Sequence, residues 1–200
     1  MIRSLFRTTW VAAALALAPS LAFAHTGVGD THGFVHGFLH PVTGIDHVLA
    51  MVTVGVFAWQ LGGRALWLVP ASFVIVMALG GATGMAGVGL PFVEFGIALS
   101  VIVLGAMVAL GVKAPLAAGV GLVGLFAIFH GHAHGAEMPE NAAGLAYGLG
   151  FVLATALLHL AGVGLGFATG RLGDRKGPVW LRNVGAAVCI SGFALALGAL

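Results

Sequence analysis

The chain has 200 residues, 60% of them hydrophobic and only 7% charged, with a mean hydropathy of +1.11. Soluble domains carry about 25% charged residues, so this composition excludes one and implies an integral membrane protein. The net charge of +2 rests on too few ionisable groups to form a nucleic-acid surface, and the single cysteine, Cys189, excludes an intrachain disulfide or a thiolate cluster and reads as a packed, inert thiol.

In chain order, Arg3 and Arg7 precede the apolar stretch "WVAAALALA", and "AFA" at 22–24 supplies the small residues that signal peptidase reads. The apolar core is short for a span. The expectation is a cleaved signal peptide over residues 1–24 and a mature membrane domain over 25–200 that begins at His25. Six apolar segments then follow, approximately Ile45 to Leu61, Leu66 to Met85, Phe92 to Gly111, Pro115 to Phe129, Ala142 to Ala168 and Val179 to Leu200. The fourth is the shortest and is expected to continue as helix into the histidine segment behind it. Backbone in lipid must satisfy itself, and the alternating segments of a barrel are absent. The fold class is therefore all-α, a polytopic bundle of six transmembrane helices. Gly144 with Gly148, and Gly162 with Gly166 and Gly170, are read as small faces for close helix packing. The methionines Met51, Met77, Met85 and Met107 read as core or lipid contacts.

Starting from an extracytoplasmic mature N-terminus, the loops on the cytoplasmic side contain Arg64, Lys113, Arg171, Arg175, Lys176 and Arg182, and the opposite loops contain no lysine or arginine. This satisfies the positive-inside rule. It predicts a bacterial inner-membrane protein with both mature termini in the periplasm.

On that topology eight of the nine histidines fall in or near the outer half, and only His159 lies deep. An apolar chain has no packing reason to gather imidazoles at one face, whereas a divalent metal needs neutral nitrogen donors. In "FHGHAHGAE", His130, His134 and Glu137 stand at i, i+4 and i+7 on one helix face, while His132 points elsewhere. In "HPVTGIDH", His40 and His47 are separated by Pro41, which is expected to end or start a helix so that the two imidazoles converge. Asp46 could ligate directly, cap the helix or orient His47. The candidate metal set is His40, Asp46, His47, His130, His134 and Glu137, with His36 and the N-terminal His25 as further members. His32, with Phe34, Phe38 and Leu39, reads as part of an interfacial anchor whose imidazoles turn to water. Glu94 and His159 are costly in hydrocarbon and are candidates for a polar pathway, and Glu140 is read as solvated.

The segments "HPVTGIDHVLAM" and "FHGHAHGAE" resemble the signature motifs of the HupE/UreJ family of bacterial membrane proteins. His40, Asp46 and His47 match the first motif. Phe129, His130, Gly131, Ala133, His134, Gly135 and Glu137 match the second, and His132 occupies its variable position. The resemblance covers the whole chain. It implies secondary permeation of Ni²⁺, or of Co²⁺ in some members, in the service of hydrogenase or urease maturation. The donor types also suit Zn²⁺.

The sequence-based expectation is thus uptake of a divalent metal ion as cargo, with no catalytic cofactor and no enzymatic activity. No Gly-x-x-x-x-Gly-Lys-Ser/Thr loop is present for ATP hydrolysis. The rival reading is a membrane sensor or metallochaperone that binds metal without moving it. An intramembrane metallohydrolase lacks its His-Glu-x-x-His arrangement. The lipid bilayer is the other expected partner, and association into a homo-oligomer is left open.

Overall fold

In a computed structural model of the chain, residues 33–138, 142–171 and 176–199 are described. They form α1 (Gly33–Thr43), α2 (Ile45–Leu61), α3 (Ala65–Met85), α4 (Val93–Leu110), α5 (Leu116–Ala136), α6 (Ala142–Gly170) and α7 (Lys176–Ala196), with no strand among the described residues. The expected signal peptide, His25, His32, Glu140, Arg175 and the side chain of Lys176 lie outside them. Helices α3 to α7 are each long and apolar enough to cross a membrane. At 17 residues, α2 reaches only about 25 Å, and it qualifies as the sixth span together with α1, to which it is bent by 78°.

Pro41 does not interrupt the helix, contrary to the sequence-based expectation. It is buried inside α1, and the chain breaks three residues later at Gly44. Pro41 removes the N–H that would reach the Gly37 carbonyl, whereas the terminal carbonyls of α1 keep donors. The Thr43 hydroxyl donates to the carbonyls of Leu39 and His40, and Gly44 N–H also donates to His40. Gly44 then adopts extended backbone, with ψ 118°, and turns the chain into α2.

Helices pair where glycine removes a side chain. Gly131 and Gly135 of α5 press on the backbone of α3 at Met77 and Gly81. Gly105 of α4 meets Gly185 and Cys189 of α7, and Gly162 of α6 meets Val52 and Gly55 of α2. Gly166 and Gly170 instead accept the ring of Trp59, and Gly148 faces the Met138 side chain. The shared core lies around α2, where Met51, Val54, Phe57 and Ala58 are fully buried with Phe73 and Leu104. Large apolar side chains such as Trp67, Ile75, Leu79 and Leu149 are exposed instead, as a bundle solvated by hydrocarbon requires.

Alternation along the chain puts the starts of α2, α4 and α6 and the ends of α3, α5 and α7 at one end of the bundle. The cluster of histidines is there. Arg64, Lys113 and Arg171 are in the turns at the other end. At that basic end the Gln60 amide donates to the carbonyls of Met107 (3.3 Å) and Val112 (2.9 Å), which close α4. Gln60→Leu is expected to leave both acceptors without this donor and to lower stability by about 1–2 kcal/mol. A thermal melt of the purified protein measures this, and an unchanged midpoint would show that water replaces the amide.

Candidate functional site

The last turns of α5 carry two histidines, each followed by a glycine. Successive residues on a helix are turned by about 100°, so Gly131 and Gly135 can face α3 while His130 and His134 face α2 and α6. The first turn of α2 presents His47 to the same space, and the last turn of α1 adds His40. Ring centroids lie 4.6 Å apart for His47 and His134, 4.6 Å for His40 and His134, 5.3 Å for His47 and His130, and 5.7 Å for His40 and His47. Two segments nearly ninety positions apart in the chain therefore meet at one end of the bundle. Phe151 of α6 forms a wall, with its centroid 4.4 Å from His134 and 6.0 Å from His47.

The hydrogen bonds fix several tautomers. An ionised carboxylate only accepts, so His47 donates from Nδ1 to Oδ1 of Asp46 at 2.9 Å. His47 Nε2 then carries a lone pair and accepts from Nε2–H of His134 at 2.6 Å. Asp46 thus orients His47, and the N-cap residue of α2 is Gly44, with no side-chain capping bond. The Ser100 hydroxyl donates to the Ile97 carbonyl at 2.6 Å and so accepts from Nε2–H of His130 at 3.0 Å. The other nitrogen of His130, Nδ1, is buried without a hydrogen-bond partner among the described residues. His132 donates from Nε2 to the carbonyl of Val88, in the turn between α3 and α4. It points away from the cluster, as its spacing suggested, and ties that turn to α5.

Among the described residues, no three His, Cys, Asp or Glu side chains form a ready-made metal cage. The reason is visible between His47 and His134, whose Nε2 atoms share a proton at 2.6 Å. Two nitrogens on one ion, each at about 2.0–2.1 Å, would stand roughly 3 Å apart. A cation taking the place of that proton must part the rings by a few tenths of an ångström.

The other candidate residues are placed less centrally. His36 is exposed on α1, 6.5 Å from His40 and 5.9 Å from Tyr147 between ring centroids. Its neighbour His40 turns inward to the cluster, while α1 packs on α6 through Gly37 and Gly150 and leaves Phe34 and Leu39 exposed. Glu137 is exposed just beyond α5, and Glu94 is exposed in the first turn of α4. His159 is buried on α6, away from the outer group, against Phe73. Sequence reasoning missed Ser100, Phe73, Tyr147 and Phe151. A lone serine in the apolar run of α4 and the chain's single tyrosine were the available signals.

A helical integral membrane protein with a buried group of imidazoles at one end is the class these features define. The HupE / UreJ protein family model matches residues 13–195. "Protein HupE" of Rhizobium leguminosarum bv. viciae is 48% identical over 192 residues, which cover 96% of this chain and 98% of that protein. The chain belongs to the HupE/UreJ family. No solved structure matches it.

Proposed function

We propose that the protein carries a divalent transition-metal ion, Ni²⁺ first and Co²⁺ as an alternative, across the bacterial inner membrane for maturation of a hydrogenase or urease. The observation that supports this most is the convergence of His40, His47, His130 and His134 from three helices, with Asp46 behind His47. Imidazole nitrogens suit these ions, and conduction needs donors that also release. A group of rings that must part to admit the ion meets both conditions. The basic turns at the opposite end, read by the positive-inside rule, support a periplasmic histidine end, where an ion to be taken up would enter. Asp46 holds the His47 tautomer, His47 and His134 receive the partly dehydrated ion, and His130 offers Nδ1 next. Glu137 and His36, at the margin, attract the cation before it is dehydrated.

Wild-type protein in proteoliposomes is expected to take up Ni²⁺ above the level of empty vesicles, with Co²⁺ competing. Ni²⁺ binding without uptake would overturn transport in favour of a membrane sensor. Absence of both would remove the metal reading.

A further inference from the structure

Phe73 of α3 is fully buried, and its ring touches two histidines. The centroid of His130 is 5.6 Å away, and that of His159 is 5.0 Å away, edge-on at 83°. His159 is itself buried, and neither of its ring nitrogens has a hydrogen-bond partner among the described residues. A neutral imidazole presents one N–H and one lone pair, and the edge-on contact with Phe73 satisfies neither in full. Helix packing does not account for it, because α2 and α6 close on each other at this level through Gly55 and Gly162. One helical turn nearer the outer histidines, on the same two helices that carry Phe73 and His159, the Thr155 hydroxyl donates to the Met77 sulfur at 3.8 Å. A hydroxyl oxygen and a thioether thus lie one turn from Phe73 and His159 on the side of the outer histidines.

We propose that His159 is a second, inner metal-binding station, and that Phe73 is the apolar barrier an ion passes between it and the outer imidazoles. The inference rests on the transport reading above. An ion held at about 2.0–2.1 Å from one imidazole nitrogen has to leave the outer donors before it reaches His159. Movement of the Phe73 ring then controls that step. The unpartnered lone pair on one ring nitrogen of His159 is the donor that takes the ion in passing.

The test uses the full-length protein in proteoliposomes with Ni²⁺ alone as probe, and reads uptake, equilibrium Ni²⁺ binding and thermal melting on the same preparations. His159→Leu should retain Ni²⁺ binding at the outer group and lose uptake by about tenfold or more. Its melting midpoint should be equal or higher, because hydrocarbon replaces buried unpaired nitrogens. Phe73→Leu, which keeps apolar bulk but removes the rigid ring, should raise the initial uptake rate by about threefold. His159→Leu with uptake at the wild-type rate would overturn the inner station, as would lost uptake accompanied by a lower midpoint, which marks a structural role. Phe73→Leu at or below the wild-type rate would remove the barrier. Wild-type vesicles that take up no Ni²⁺ would defeat the transport reading itself, a failure seen before any variant is compared.

Discussion

Alanine at His47 is expected to abolish Ni²⁺ uptake and to weaken Ni²⁺ binding by more than the roughly 10–100-fold that loss of an outer hydrogen-bond partner brings. The reason is its central position. His47 is in ring contact with His40, His130, His134 and Phe151, and it is the residue that Asp46 orients. Removing it separates α2 from the imidazoles of α5 and leaves only His40 of α1 against His134. Asp46→Asn is the graded companion. An amide oxygen can still accept from Nδ1–H of His47, but without the charge that strengthens the bond and raises the basicity of Nε2. Binding should fall within that same range of about 10–100-fold, with the fold retained. Equilibrium binding of Ni²⁺ to the two purified variants decides this. Equal losses in both would make Asp46 a direct ligand, and wild-type affinity in His47→Ala would eliminate the proposed site.

Span positions were legible because hydrocarbon imposes a length and a composition on each segment. The expected Ile45 to Leu61 coincides with α2, and the fourth span runs on through His134 as anticipated. Periodicity also separated His132 from His130 and His134. What the sequence could not reveal depends on contacts across helices. Pro41 sits inside α1 and the helix runs on to Thr43, where the Thr43 hydroxyl and Gly44 N–H compensate the terminal carbonyls of Leu39 and His40. That compensation is only visible once the turn is built. Ser100 is thirty residues from His130 and has no motif, yet its hydroxyl selects the tautomer of that histidine. Phe73 belongs to no motif, and only the fold sets His130 and His159 both against it. Glu137 is a candidate by its spacing and Glu94 by the cost of a charge in hydrocarbon; both are exposed at helix ends, Glu137 just after α5 and Glu94 in the first turn of α4.

Gly131→Ala should be among the most disruptive single methyl groups in the bundle. A Cβ at Gly131 would overlap the Met77 carbonyl oxygen of α3 and lie 2.8 Å from its carbon and 2.9 Å from the Gly81 nitrogen. Those are backbone atoms of a hydrogen-bonded helix, so they cannot rotate aside as a side chain would. Either α5 withdraws from α3 or it twists about its axis, and both motions carry His130 and His134 away from His47. Overpacking of this kind lowers stability by about 1–3 kcal/mol, against a gain of at most about 1 kcal/mol from replacing glycine with alanine in a helix. The net sign is therefore destabilising, and Ni²⁺ binding should fall with it. Gly121→Ala on the same helix has no atom within 4 Å of its new methyl group, so it should melt at or above the wild-type midpoint and bind Ni²⁺ normally. If Gly131→Ala behaved like Gly121→Ala in both measurements, the close approach of α3 and α5 would not be what holds the two imidazoles in place.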